Sequence, residues 1–145
     1  MYYYYNYKLK LYLKINFLIK RKLVCKLSKL DKPLPKNYFT GEFNLLKNFF
    51  SGKKKKFDVE FDYSGLSARF IKVLKLIIEI PYGNLQTYSD LSLKLGYHQR
   101  FIGYVCKNNP FPILIPYHRV ISKNGDNYYQ WGTKIKVFIQ NLEKK

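Results

Sequence analysis

Acidic residues, cysteine, histidine and long apolar runs are all scarce in this sequence of 145 residues. Its two cysteines and two histidines do not make up a four-ligand structural zinc site, so we expect no metal, no cofactor and a reduced protein. Lysines interrupt the apolar stretch at the N-terminus, and no small-residue cleavage site follows it, which excludes a signal peptide and a membrane span. We therefore expect an intracellular protein of the cytoplasm or nucleoid, or of the nucleus in a eukaryotic cell, that does not contact a membrane.

The shortage of acids leaves a strongly basic chain. Only 9 Asp and Glu stand against 27 Lys and Arg, which gives a formal net charge of +18. Such a chain repels itself unless a polyanion offsets the charge, and nucleic acid is the partner that this predicts. A coding sequence rich in A and T explains part of the lysine content, but it does not explain so few acids.

The N-terminal third alternates in the manner of β structure. Apolar and polar residues nearly alternate from Lys8 to Lys20, which predicts a long strand. The stretch from Arg21 to Leu30 is predicted to pair with it as a hairpin, and Asp31, Pro33 and Pro35 then break regular structure.

A short helix and a further strand complete the predicted N-terminal domain, residues 1–62. Apolar residues between Leu45 and Phe50 indicate a helix that ends at Ser51 and Gly52, and the lysine run from Lys53 to Lys56 is predicted to be a solvated loop. Alternation from Phe57 to Tyr63 predicts a strand.

The remaining residues, 63–145, change to helical periodicity. One apolar stripe predicts a helix that stops at Pro81; it consists of Phe70, Val73, Leu74, Ile77 and Ile78. A second helix is predicted to begin after Thr87, with Asp90 completing a capping box, and to leave through Gly96.

A third helix is predicted from Arg100 through Cys106, ending before Pro110, so the two helices form a helix-turn-helix. In a basic chain the second helix of such a unit faces DNA, with Arg100 and Lys107 near the phosphates. Helix pairs joined by a glycine turn are also common in domains that never meet DNA, so this pattern alone leaves the function open.

The segment NPFPILIPYHRVISKNG, Asn109 to Gly125, is far more specific. Pro-Ile-Leu-Ile-Pro followed by His-Arg-Val resembles the active-site segment of the O6-alkylguanine-DNA alkyltransferase family, in which a cysteine stands between the second proline and the histidine. Tyr117 occupies that place here. The resemblance extends back through IPYGNLQTYSDL to FFSGKKKKFDVEFDYSG and forward through YQWGTKIKVFIQNLE.

The resemblance implies an α+β chain, with a small, shortened ribonuclease-H-like α/β domain before a helical, winged-helix-like domain. It implies that the helix-turn-helix enters the minor groove and flips a nucleotide, that Arg100 fills the resulting gap, and that Tyr88 crowds the phosphate of the flipped nucleotide. An ordinary surface charge at Arg100 and a core aromatic at Tyr88 are the simpler interpretations.

By the same resemblance, a pocket for the flipped guanine surrounds Tyr117. Asn109 would hold the turn before the active-site loop through side-chain hydrogen bonds. Tyr129, Gln130 and Trp131 would form the lid of the pocket, although Trp131 could equally belong to the core.

The resemblance also implies a relay in which His118 and Glu143 activate the acceptor. The acceptor itself is changed, because tyrosine has a reference pKa of about 10 against about 8.5 for cysteine, and its hard oxygen attacks an alkyl carbon less readily. The sequence therefore predicts a monomeric repair protein, similar to alkyltransferase-like proteins, that binds O6-alkylguanine in double-stranded DNA without taking the alkyl group and flags it for nucleotide excision repair.

Two alternatives stay open. The protein could be an active single-turnover methyltransferase whose acceptor is Tyr117 or Cys106, although a lone cysteine is more commonly a small buried apolar residue. It could also be a DNA-binding protein that does not depend on the lesion, in which case salt would weaken its binding to damaged and intact DNA alike.

Overall fold

The computed structural model describes residues 2–6, 11–15, 22–23, 28–29, 48–57, 60–125, 128–129 and 132–144. The chain divides into two compact units, Met1–Asp62 and Tyr63–Lys145. No helix among the described residues is both long enough and apolar enough to cross a membrane.

The first unit contains a three-stranded antiparallel sheet and a separate parallel strand pair. Strands β1 (Tyr2–Asn6), β2 (Leu11–Ile15) and β4 (Ser28–Lys29) lie in the order β1-β2-β4, with Leu13 opposite Lys29. Strand β3 (Lys22–Leu23) pairs in parallel with β5 (Glu60–Phe61).

This arrangement corrects the predicted hairpin. Only the end of the stretch from Arg21 to Leu30 pairs with the long strand, because its first part pairs with β5 instead. The sequence did not indicate β1, since a run of tyrosines has no alternation to detect. The other residues between Lys8 and Lys20, apart from β2, lie outside the described residues.

Residues 48–50 are helical and end at the turn of Ser51 and Gly52, as predicted, while Leu45 and Leu46 lie outside the described residues. Phe49 is fully buried, and its ring lies 5.4 Å from that of Phe50 and 5.3 Å from that of Phe57. The lysine run that follows has neither helix nor strand, which confirms the predicted loop.

Helix α1 (Ala68–Ile78) opens the second unit. Ser67 caps it by accepting a hydrogen bond from the backbone N–H of Phe70 at 3.3 Å. The predicted stripe is buried at all but its last position; the buried residues are Phe70, Val73, Leu74 and Ile77. Each such side chain contributes roughly 1.5 to 3 kcal/mol of hydrophobic stabilisation, so this stripe anchors the helix in the core.

The predicted helix-turn-helix is confirmed as α2 (Tyr88–Leu95) and α3 (Gln99–Lys107). Thr87 and Asp90 form both halves of the capping box, and Gly96 ends α2 in the left-handed conformation at φ 66°. The Nδ1 atom of His98 then caps α3 by accepting from the N–H of Arg100 at 3.1 Å.

A buried connection follows α3. Every residue from Phe111 to Val120 is buried, and Ile113 adopts a φ of 69°, a conformation that β-branched residues rarely adopt. Tyr117–Arg119 form a 3-10 helix, after which β7 (Val120–Ile121) pairs in parallel with β6 (Gln86–Thr87).

Helix α4 (Thr133–Glu143) is the last element of the second unit, and the face that it buries is partly polar. Alongside the apolar Ile135 and Ile139, its buried residues are polar, namely Lys136, Gln140 and Glu143. The three polar positions follow at i, i+4 and i+7, so they share one side of the helix. This polar side meets the 3-10 helix and β7.

Candidate active site

Two buried tyrosines stack at the centre of the second unit. The ring of Tyr117 lies 4.4 Å from that of Tyr129 at an interplanar angle of 17°, and both side chains are buried. Burial raises the pKa of Tyr129, and a hydrogen bond with Tyr117 offsets part of that rise. The structure thus brings together the predicted acceptor position and one predicted lid residue, while Gln130 and Trp131 lie outside the described residues.

Asn109 holds the start of the loop that carries Tyr117. Its Nδ2 donates to the carbonyl of Ile115 at 3.1 Å, and its Oδ1 accepts from the N–H of Phe111 at 2.9 Å. Both bonds are buried, so they define the turn between α3 and the 3-10 helix.

The two predicted relay residues are in direct contact. His118 Nε2 and Glu143 Oε1 lie 2.7 Å apart, and both side chains are buried. The carbonyl of His118 also accepts from Gln140 Nε2 at 2.7 Å, which fixes the backbone beside the ring. The backbone and the side chain of residue 118 are thus both held by residues of α4.

The hydrogen bonds around His118 and Glu143 determine the protonation state of this pair. Burial alone would raise the pKa of Glu143, but hydrogen bonds from His118 and Arg119, together with the positive charge of Arg119, lower it to about 2. Burial lowers the pKa of His118, although the hydrogen bond to Glu143 opposes this. A carboxylate only accepts, so Nε2 carries the imidazole proton and Nδ1 keeps its lone pair, which makes His118 a neutral base.

Arg119 is a site residue that the sequence did not single out. Its Nε donates to Glu143 Oε2 at 2.8 Å and its Nη2 to Glu143 Oε1 at 2.9 Å, while Nη1 donates to the carbonyl of Ile80 at 2.6 Å. The guanidinium carbon lies 5.6 Å from the ring centroid of Tyr82. Arg119 therefore supplies the positive charge that keeps Glu143 ionised.

Lys136 is a second residue that the sequence missed. It is fully buried, and its Nζ donates to the carbonyls of Val120 at 2.7 Å and Tyr128 at 3.4 Å. Burial lowers its pKa to about 8, against an opposing contribution from Cys106. The ammonium ties β7 to the residue before Tyr129.

Cys106 lies inside α3 and is 2% exposed. Burial raises its pKa to about 12, although Lys136 pulls in the opposite direction. Burial also raises the pKa of Tyr88 to about 12, with a smaller contribution from Cys106. At neutral pH this thiol is protonated, which suits a packing role better than a nucleophilic one.

Two of the predicted DNA contacts lie on α3. Arg100 and Lys107 are both exposed. No group of three or more histidine, cysteine, aspartate or glutamate side chains in the described part of the chain could hold a metal ion.

Comparison with known proteins identifies the family. A family model described as 6-O-methylguanine DNA methyltransferase, DNA binding domain, matches residues 68–145. A probable methylated-DNA–protein-cysteine methyltransferase of Acanthamoeba polyphaga mimivirus is 37% identical over 109 residues, covering 69% of this chain and 73% of that protein. The methylated-DNA–protein-cysteine methyltransferase of Methanosarcina mazei is 37% identical over 113 residues, covering 75% and 70%.

The fold agrees with a solved structure. Mycobacterium tuberculosis OGT in complex with DNA superposes with a TM-score of 0.74 at 27% identity, covering 92% of this chain and 86% of that one. Because the curated relatives are named methyltransferases, the prediction of a protein that binds the lesion without taking the alkyl group, and only flags it, is wrong. The comparisons favour the alternative of active transfer, and this chain belongs to the 6-O-methylguanine DNA methyltransferase family.

Proposed function

We propose that this protein acts as a monomer on double-stranded DNA containing O6-alkylguanine and takes the alkyl group onto one of its own side chains in a single turnover. The observation that carries the proposal is the buried pair of His118 and Glu143, 2.7 Å apart, in which His118 follows Tyr117 directly in the chain. Family membership and the DNA-bound relative support it.

The DNA contacts belong to the helix-turn-helix. We infer that α3 lies against the minor groove, that Arg100 fills the gap left by the flipped guanine, and that Tyr88 and Lys107 act at the backbone. Exposure of Arg100 and Lys107 on α3 supports this. We further propose that the domain is winged-helix-like and that the first unit is a shortened ribonuclease-H-like domain.

We infer that Tyr117 is the acceptor, on the ground of its position in the chain. Its alignment between Pro-Ile-Leu-Ile-Pro and His-Arg-Val places it where the family has cysteine, and it precedes His118 in the chain. Cys106 is the less favourable acceptor, because it lies within α3 and not next to His118 in the chain, and because its raised pKa keeps it a neutral thiol. The lid residues Tyr129, Gln130 and Trp131 would hold the base, with Asn109 fixing the loop.

The transfer is a displacement at the alkyl carbon. His118 Nδ1 takes the phenol proton, the phenolate oxygen of Tyr117 forms a bond to the alkyl carbon, and the bond from that carbon to guanine O6 breaks. The electron pair goes to the guanine, which regains a proton at the ring from the imidazolium or water. Because the aryl ether that forms on Tyr117 is stable, the protein is consumed in one turnover.

The changed acceptor makes transfer slow. With reference pKa values of about 10 and about 8.5, a phenol is roughly 30-fold less ionised than a thiol at neutral pH. The phenol also has to leave its stack on Tyr129 before a purine can occupy that space. We therefore expect Tyr117→Cys to transfer at least roughly 30-fold faster than the natural protein.

Intact-mass analysis after incubation with duplex DNA containing O6-methylguanine tests the proposal. We expect one added methyl group, located by peptide mapping on Tyr117, and its absence with unmodified duplex. Tyr117→Phe should abolish the label, whereas Cys106→Ser should retain it.

A methyl group that maps to Cys106 would show that Cys106 is the acceptor, and alkyl transfer would remain the function. No label on the natural protein after complete binding of the DNA, together with rapid labelling of Tyr117→Cys, would refute transfer by the natural chain. Equal affinity for modified and unmodified duplex would instead favour binding that does not depend on the lesion.

A further inference from the structure

Arg69 packs against two aromatic rings and is not part of the proposed site. It lies in the first turn of α1, is exposed, and its guanidinium carbon lies 4.7 Å from the ring centroid of Tyr97 and 5.0 Å from that of Phe101. The two rings themselves meet edge to face at 5.7 Å. A flexible surface side chain is thereby held in one place.

The stability of α1 does not account for this placement. The first turn of a helix presents unpaired N–H groups and favours negative charge, yet α1 has no acidic residue there and carries Arg69 instead. None of the ion pairs formed within the described part of the chain includes Arg69. The charge is therefore available to a partner.

The two rings connect Arg69 to the DNA-facing helix. Tyr97 lies in the turn of the helix-turn-helix, and Phe101 follows Arg100 on α3. Phe101 also stacks on Tyr104, whose side chain is 57% exposed. Arg69 is thus fixed on the same side of the unit as the beginning of α3.

A guanidinium held over aromatic faces still has its N–H donors, because these point outward in its own plane. That planar fork matches the oxygens of a phosphate and is ordered before binding, so less side-chain entropy is lost when the contact forms.

We propose that Arg69, held by Tyr97 and Phe101, is a further contact to the DNA backbone, flanking the contact made by Arg100. The contact is to phosphate and carries no preference for sequence or lesion. This inference depends on the DNA binding in the proposed function, but not on transfer of the alkyl group.

The salt dependence of DNA binding tests this contact. Neutralising one phosphate of B-DNA releases about 0.9 counterion, which corresponds to about eightfold in the binding constant at about 0.1 M salt. We expect Arg69→Ala to weaken binding by about that factor and to reduce the slope of log K against log salt by about 1, equally on plain and O6-methylguanine duplexes.

Two variants separate a contact from a general loss of charge. Lys75→Ala removes one exposed charge elsewhere on α1, and we expect it to leave the slope unchanged. Phe101→Leu keeps the charge of Arg69 but removes one covering ring, and we expect roughly two- to fivefold weaker binding. Circular dichroism of each variant verifies that the helices persist.

The contact would be overturned if Arg69→Ala had the same slope of log K against log salt as the natural protein, or if Lys75→Ala reduced that slope by as much as Arg69→Ala does. If Arg69→Ala reduces the salt slope as expected but the natural protein never becomes methylated, the proposed transfer is overturned and the Arg69 contact stands. Natural protein that does not bind duplex DNA would overturn both.

Discussion

Replacing Glu143 by glutamine tests how much its buried hydrogen-bond network stabilises the fold. Glu143 accepts from His118, from two nitrogens of Arg119 and from the N–H of Gly83 at 3.2 Å, and it is only 5% exposed. Each unit of pKa corresponds to about 1.4 kcal/mol, so a fall from 4.5 to about 2 corresponds to roughly 3 kcal/mol. Removing one member of a buried ion pair lowers the free energy of unfolding by a similar amount, about 3 to 5 kcal/mol.

The sign of the pH dependence follows from the direction of the shift. The pKa of Glu143 is lower in the folded state, so its contribution is complete above about pH 4.5 and declines as the pH falls towards 2. At pH 3, roughly 1 to 1.5 kcal/mol of it would remain. We therefore expect Glu143→Gln to be about 3 kcal/mol less stable than the natural protein at pH 7, and the gap to narrow by about 2 kcal/mol at pH 3.

Urea unfolding followed by far-ultraviolet circular dichroism at both pH values measures this gap. Glu79→Gln is the matched control, because it removes the same charge from an exposed residue at the end of α1. A gap for Glu143→Gln that is the same at pH 3 and pH 7, or no larger than that of Glu79→Gln, would contradict the assigned network.

Two further predictions concern residues that the sequence did not indicate. Burial lowers the pKa of Lys136 to about 8, so the stability of the natural protein relative to Lys136→Met should increase as the pH rises from about 8 to 10.5; a difference between the two proteins that stays constant in thermal melts across this range would contradict it. A Cβ on Gly83, at φ 80°, would lie 2.8 Å from the backbone oxygen of Glu143, whereas a Cβ on Gly65, also at φ 80°, meets nothing within 4 Å. Gly65→Ala should therefore cost about 1 kcal/mol for its backbone conformation, and Gly83→Ala at least about 1 kcal/mol more for the added contact; urea unfolding that gives equal losses would contradict the close approach.

The sequence predicted the helices of the second unit well because their signals are local. The stripe that begins at Phe70, the capping box of Thr87 and Asp90, and the exit at Gly96 each lie within one or two helical turns. The predicted pair of His118 and Glu143 came from the resemblance rather than from a pattern, since 25 residues separate the two in the chain.

Other parts of the site could not be predicted from patterns. On α4 the buried side carries Lys136, Gln140 and Glu143, so a pattern that assigns polar residues to solvent places this side outside. The pair β6 and β7 has two residues per strand, which is too short for alternation to appear. The one available hint for Arg119 was its position immediately after His118.

The hydrogen-bond network around Glu143 depends on three parts of the chain that are distant in sequence. The turn after α1 contributes the carbonyl of Ile80 and the N–H of Gly83, the 3-10 helix contributes His118 and Arg119, and α4 contributes Glu143. Each part is bonded to another, so the orientation of the His118 ring depends on the position of the last turn of α4. This explains why the carboxylate is ionised and held against His118 although the neighbouring position 117 holds a tyrosine. Because the loss of either Glu143 or Arg119 would leave the charge of the other buried without its ionic partner, the network is required for stability. We therefore expect the network to stay assembled in Tyr117→Cys, where it could activate a cysteine, even if the natural Tyr117 accepts the alkyl group slowly.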